Sequence, residues 1–290
     1  MNYFTISDIE QLSGIKAHTL RIWEQRYKIL RPKRKESKHR FYDNEDLKRI
    51  LQIAHLNRNG HKISKIARMT EEQIRSLSLE EELNESVYEN FIHQLTEACR
   101  NLDEDRFHKI FHTVYQHLGF DKTVLHIFYP MLERIGRTWM TDRIRPVQEH
   151  FASNLISRKI MMAVQHLDAK QDGPVTLLFN PENEHHEIPL LFIHYLLKRK
   201  GKRVVYFGTN VSIEYLEEFV NRHKTERLHL HLITSIGHHT PDELMKLLLK
   251  KFTKQQIVLS GPFSNSITIS NSRLRLLTSS GALLHYCEED

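Results

Sequence analysis

VTLLFNPENEHHEIPLLFIHYLLKRKGKRVVYFG, residues 175–208, joins two short apolar runs through a polar loop and an amphipathic stretch. Apolar runs at 175–179 and 204–208 have strand length, and residues 187–200 between them carry apolar positions at helical spacing. Strand, helix, strand in so few residues predicts a parallel βαβ unit. LHLHLITS (228–235) and QQIVLS (255–260) continue the series, alternating with helical patterns at 212–223 and 241–252. LRLLTS (274–279) and ALLHY (282–286) read as further strands. Near-continuous apolar strands alternating with helices predict a Rossmann-like, doubly wound parallel sheet over 171–290. Ligands of such sheets bind beyond the carboxyl ends of the strands. PENEHHEIP follows directly on the end of VTLLF.

Several chemistries compete for that loop. Glu184, His185, His186 and Glu187 are consecutive, so their side chains cannot all converge on one metal ion without distant ligands. The H-E-x-x-H pattern of zinc hydrolases is absent. Gly208 is followed by TNVSIEYL, which is no phosphate cradle, and the strand ends offer Asn180, Gly208, Ser235 and Ser260 where a phosphate-accepting domain needs an Asp. A solvated polar loop remains, and so does one histidine acting as axial nitrogen ligand to a large planar metal cofactor. Such a ligand needs its other ring nitrogen oriented by a carboxylate or carbonyl; Glu184, two residues earlier, is a candidate.

Upstream, VYENFIHQLTEACRNLD (87–103), FHKIFHTVYQHLG (107–119), TVLHIFYPMLERIGRTWM (123–140) and VQEHFASNLISRKIMMAVQHL (147–167) are amphipathic and separated by short breaks. They predict a four-helix bundle within residues 76–170.

The chain's charge is uneven. Residues 1–70 hold 16 Lys or Arg against 7 Asp or Glu, while the remaining 220 residues hold 26 against 29. A basic module of this kind suits contact with phosphates. In TISDIEQLSGIKAHTLRIWEQRY (5–27), two short apolar periodicities flank Ser13-Gly14. The pattern predicts a helix-turn-helix whose second helix exposes His18, Thr19, Arg21, Gln25 and Arg26 to phosphates or base edges. ILRPKRKESKHRFYDNEDL (29–47) then predicts a basic wing carrying Lys33, Arg34, Lys35, Lys38 and Arg40, with Tyr42 beside it and a helix capped by Asp43 or Asn44. Apolar runs fall well short of the roughly 20 residues of a bilayer span. The opening MNYFTISDIEQLSG lacks the basic and apolar segments of a secretory signal, and Cys99 and Cys287 form no disulfide framework; a cytoplasmic chain is expected.

Thr5-Ile6, Gly14, TLRIWEQRY (19–27), Pro32, Arg34, Arg40, Tyr42, Leu47, Leu56 and Gly60 together resemble the MerR family of transcriptional regulators. The resemblance covers residues 3–72 and implies a winged DNA-binding domain, about 1–75, that acts as a homo-oligomer on double-stranded promoter DNA, with contact to RNA polymerase. No long heptad segment and no clustered cysteines follow, which disfavours metal or thiol sensing of the kind some members perform. The C-terminal part resembles the cobalamin-binding domain of MerR-type regulators of the CarH and LitR kind. Their Glu-x-His-x-x-Gly pattern falls on Glu184, His186 and Pro189, with proline in place of the glycine. The resemblance implies His186 as the cobalt ligand, with Gly208, Ser235, Ser260 and Gly261 beside the cofactor. Trp139, followed after nine residues by Glu149-His150, matches the cap over the upper face; Met140 stands where photoresponsive members have a histidine.

These features imply a DNA-binding regulator, not an enzyme, a homo-oligomer (dimer or tetramer) that binds a cobalamin (adenosylcobalamin or methylcobalamin) and thereby changes its oligomeric state and promoter binding. A regulator whose cobalamin domain is degenerate, acting through protein contacts or another small ligand, is the alternative. A subunit of a cobalamin-dependent enzyme fits less well, since three small modules leave no room for a substrate-binding barrel.

Overall fold

A computed structural model describes residues 4–29, 33–34, 40–139, 145–168, 172–234 and 240–289. Two compact units, Met1–Phe91 and Ile92–Asp290, make up the chain. No helix among the described residues is long and apolar enough to cross a membrane.

In the first unit, α1 (Ile6–Ser13) starts at a capping box, in which the Thr5 hydroxyl accepts from Asp8 N and the Asp8 carboxylate accepts from Thr5 N. It stops at Gly14, whose φ of 72° turns the chain into α2 (Ala17–Tyr27). A short antiparallel pair, β1 (Lys33–Arg34) with β2 (Arg40–Phe41), forms the wing. Asp43 caps α3 (Asn44–Arg58) through a second capping box with Asp46, and α4 (Ile63–Ile66) follows. Ile9, Leu20, Trp23, Ile50, Ile53, Leu56 and Ile66 close one core between these elements. The next helix, α5 (Glu71–Arg100), runs 30 residues. The lack of a long heptad segment in the sequence does not prevent a long continuous helix here. Glu, Leu, Gln and Arg in EEQIRSLSLEEEL hold a helix by propensity where the apolar stripe is thin.

The second unit contains the bundle and the sheet. α6 (Glu104–Thr123) is broken at Gly119 (φ 74°, ψ 172°), continues through a π-helical turn at Val124–Phe128 into α7 (Tyr129–Trp139), and is followed by α8 (Pro146–Gln165). Phe128 stacks against both Phe107 and Phe111 inside the bundle, at ring separations of 6.2 and 5.8 Å.

The sheet holds β3 (Asp172–Pro181), β4 (Lys202–Val211), β5 (Thr225–His231), β6 (Gln256–Ser260) and β7 (Leu274–Leu277), all parallel, in the order β4-β3-β5-β6-β7. Leu177, Phe179, Leu228, Leu230, Ile257 and Leu259 bury one face against Leu216 of α10 (Ile213–Arg222) and Leu244, Met245 and Leu248 of α11 (Pro241–Lys251). Each such side chain contributes about 1.5–3 kcal/mol by leaving water. The opposite side carries α9 (Glu187–Arg199) and α12 (Ser280–Glu288). The expected doubly wound sheet is present, with one local correction. ALLHY lies inside α12, because Ser279 accepts from Ala282 N and starts a helix directly after β7.

α9 also docks onto the bundle. Tyr195 lies 4.7 Å from the Phe120 ring, Phe192 meets Tyr129 edge-on, Lys198 donates to the Val164 carbonyl at the end of α8, and Arg199 pairs with Asp121.

Two glycines with positive φ distinguish strain from crowding. At Gly261 (φ 93°) an added Cβ would stand 2.4 Å from the Leu232 carbonyl oxygen, whereas at Gly173 (φ 89°) it would meet nothing within 4 Å. Gly261→Ala is expected to cost about 3 kcal/mol, strain plus overlap, and Gly173→Ala about 1 kcal/mol. Urea unfolding of the two variants, followed by circular dichroism, checks the order; equal losses would refute it.

Candidate functional site

The chain's winding direction reverses between β3 and β5, and the crevice outside a parallel sheet lies at such a point. β3 ends at Pro181, and Asn183, held at φ 71°, donates its N–H to the Asn210 side chain near the end of β4. Glu184 then turns inward and is fully buried. One carboxylate oxygen accepts from His186 N (2.9 Å) and lies 2.7 Å from His186 Nδ1. The other accepts from Ile233 N (2.8 Å), Thr234 N (2.9 Å) and the Thr234 hydroxyl (3.3 Å), just past the end of β5. Asn180 completes the join, its amide donating to the His186 carbonyl and accepting from His231 N.

A carboxylate cannot donate, so Nδ1 of His186 carries the hydrogen and the neutral ring keeps its lone pair on Nε2. The side chain is 47% exposed, so that lone pair is available to a ligand. Burial pushes the Glu184 carboxyl up, but the hydrogen bonds from His186, Thr234 and Ile233 outweigh it and hold the group at about 2. The hydrogen bond to Glu184 raises His186 above 6.5; burial opposes this, and the charges of Glu184 and Glu149 reinforce it. Glu184's contribution to stability is therefore present above its ordinary 4.5 and lost as pH falls toward about 2. That of His186 is complete below 6.5 and lost as pH rises through its folded value.

The other expected residues fall into three groups. Glu149 lies near the start of α8, where Ser153 Oγ donates to it at 2.8 Å and His150 Nδ1 stands 3.4 Å away with its ring largely exposed. Trp139 ends α7; its side chain lies outside the described residues, as do Met140 and Ser235. Gly208 (φ 80°) is buried, and an added Cβ would sit in ordinary contact with the Tyr206 ring (3.7 Å) and the Glu187 carboxylate (3.8 Å). Ser260 and Gly261 end β6 in a packed environment. Pro189 is the third residue of α9, a first-turn position whose missing N–H breaks no intrahelical bond. His185 is exposed, apart from the Glu184 clamp.

Thr234, Asn180, His229 and His231 escaped the sequence reading. Thr234 precedes the Ser235 that was singled out, which lies outside the described residues, and its N–H and hydroxyl both donate to Glu184. The alternation LHLHL carried a usable signal, since period two puts both histidines on the same sheet face. Among the described residues no group of three or more His, Cys, Asp or Glu forms a metal cage. Burial pushes the thiols of Cys99 and Cys287 up to about 12, a poor state for reactive or metal-binding sulfur.

On α2, His18, Arg21, Gln25 and Arg26 are exposed, and Thr19 is half-buried, 3.3 Å from His18 Nε2. Arg26 also lies over the Tyr27 ring. The backbone of Lys33, Arg34 and Arg40 forms the wing, while their side chains, and Lys35 and Lys38 entirely, lie outside the described residues. Tyr42 is a correction. It is 1% exposed and belongs to the core with Leu20 and Trp23, because its backbone pairs with Phe4 and turns the ring inward.

Residues 4–73 match the MerR HTH family regulatory protein profile, and residues 91–163 match the B12 binding domain profile. The chain is similar to the HTH-type transcriptional repressor CarA of Myxococcus xanthus, 28% identical over 215 residues that cover 73% of this chain and 70% of CarA. It is also similar to the repressor CarH of the same organism, 24% identical over 219 residues and 73% of each chain. The regulator MlrA of Escherichia coli (strain K12) is 36% identical over 66 residues, 23% of this chain and 27% of MlrA. Among solved structures, the monomethylamine corrinoid protein of Methanosarcina barkeri shares the fold, with a TM-score of 0.55 at 15% identity over 69% of this chain and 98% of that one.

The clamp itself can be tested without any ligand. In Glu184→Gln the side-chain amide donates to Nδ1, which moves the ring hydrogen to Nε2 and removes the charge that raises His186. An NMR titration is expected to show the His186 midpoint falling below its wild-type value, together with a loss of about 2 kcal/mol of stability at neutral pH. An unmoved midpoint would contradict the clamp.

Proposed function

From a chain in which a MerR-type helix-turn-helix region precedes a B12-binding-type domain, the arrangement of CarA- and CarH-like regulators, we propose a transcriptional regulator that responds to a corrinoid. The observation that carries the ligand half is the Glu184–His186 clamp. An imidazole with one nitrogen committed to a buried carboxylate and the other open is a donor suited to cobalt. A bound corrinoid would supply a cobalt centre able to accept such a nitrogen as a ligand. His186 Nε2 would ligate the cobalt, Gly208 would let backbone approach the ring closely, and Trp139, Glu149 and His150 would cap the site. Glu149 already acts on His186 through its charge, which supports a cap close to the site.

Arg21, Gln25 and Arg26 on α2, with Lys33, Arg34, Lys35 and Arg40 of the wing, contact double-stranded promoter DNA. Ligand bound between cap and sheet favours one oligomer over another, dimer or tetramer. Each further tethered DNA module raises the effective concentration at an operator, so a shift in assembly suffices for control and no turnover is needed.

Mixing the purified protein with a corrinoid is expected to convert its absorption to that of an imidazole-ligated ring. His186→Ala abolishes the change, and Glu184→Gln weakens binding roughly 10–100-fold. A spectrum the wild type leaves unchanged would sink the assignment. Independently, Arg21→Ala and Arg26→Ala are each expected to weaken binding to random duplex DNA and to lower the salt slope by about one. Affinities unaltered across several salt concentrations would remove α2 from the interface.

A further inference from the structure

A complete cobalamin carries its own lower base on a nucleotide arm. His186 can take the cobalt only after that base has left, and the released arm, still tethered to the ring, then needs room below it. Among the described residues, side chains occupy the strand ends beside His186. Asn180 is fully buried and held at both ends of its amide. Next to it, Ser260 Oγ lies 2.9 Å from His231 Nδ1, 3.0 Å from His229 Nε2 and 3.3 Å from the Leu230 carbonyl oxygen.

One assignment satisfies all three contacts: the hydroxyl donates to Leu230 and accepts an N–H from each ring. Both imidazoles are then neutral, in keeping with the burial that lowers His229 to about 3 and His231 to about 4. The bare Nδ1 of His229 has no hydrogen-bond partner among the described residues, and as a lone pair it is cheaper to bury than an N–H. Ser260 and His229 have no exposed surface. Beyond them, the Leu232 oxygen and His231 Nε2 stand 2.4 and 3.1 Å from where a Cβ on Gly261 would be. A methyl group does not fit there without displacing the end of β5 or the His231 ring.

We propose that the site selects an arm-less, cobinamide-type corrinoid over complete cobalamin, with His231 and Ser260 as the residues that exclude the arm. The inference rests on His186 as the lower ligand. A cobalamin whose arm finds no pocket must lose its own base without compensation, so its apparent affinity falls by the fraction of molecules with the base detached.

The full chain is titrated with methylcobinamide and with methylcobalamin, following the corrin bands. The expected result is an imidazole-ligated spectrum with both, and a dissociation constant at least about ten-fold lower for methylcobinamide. In Ser260→Gly/His231→Ala, which opens the strand ends, that ratio should move toward unity or reverse. Both ligands are compared on one protein, so a general loss of folded material cancels from the ratio. Wild-type binding of methylcobalamin as tight as methylcobinamide, or a ratio the double variant leaves unchanged, overturns the selectivity and leaves the His186 assignment standing. No imidazole-ligated spectrum with either probe overturns both.

Discussion

The carboxylate of Glu184 is a charge with no exposed surface, and the strand-end geometry follows from the need to satisfy it. Its five donors come from two places in the chain: the backbone and ring of His186, and the backbone and hydroxyl beyond β5. No single loop could supply them. The loops after β3 and β5 are therefore locked to one another where the sheet changes winding direction, and Asn180 repeats the lock with one bond to each side. Leaving such a charge unpaired would cost more than a neutral pair contributes, so the loop has few alternative conformations to visit. Preorganisation of the His186 ring is a by-product of stabilising Glu184.

His186 is also the N-cap residue of α9, and that helix is shared between sheet and bundle. Its first turn abuts the clamp, its middle carries Phe192 and Tyr195 into the aromatic cluster with Phe120 and Tyr129, and its last turn reaches α8 and Asp121 through Lys198 and Arg199. Packed side chains at this density transmit displacement instead of absorbing it. The break at Gly119 and the π-helical turn after it sit beside Phe120, where α9 docks. Here the bundle's backbone departs most from regular helix. A ligand changes the bundle only by binding two of its arrangements with different affinity, and the contact path from His186 to Phe120 is where such a difference can be felt.

The sequence carried most of this architecture because its central strands are buried on both faces and the edge strand β4 is still mostly half-buried. VTLLF, VVYFG and QQIVLS leave no alternative to a covered parallel sheet, and the helical spacing between them fixes the layers. ALLHY misled for the same reason: five residues of apolar character suit either a last strand or a last helix, and a single capping serine decides. Tyr42 misled because a motif position states which residue is present and not which way it faces; an isolated pairing with Phe4 turned it into the core. Thr234 was not singled out, although it ends the described stretch after β5. The end of a strand is the least determined part of a sequence reading, and ligand chemistry sits at strand ends.

Histidine illustrates how far residue type alone can go. His185 and His186 are neighbours in sequence and both reach solvent, yet it is His186, at the N-cap of α9, whose ring is fixed by the buried carboxylate. His229 and His231 are two apart and so share a face of β5, while Leu228 and Leu230 between and beside them bury the other. That face would ordinarily be apolar against α9 and α12. Placing two imidazoles there requires a partner capable of accepting from both, and Ser260 is the residue on the neighbouring strand at the register to do it, opposite His231. A glycine at that position would strand two N–H donors in the protein interior. Ser260, His229 and His231 are therefore a single unit of three residues, and the room beneath His186 is set by all of them together.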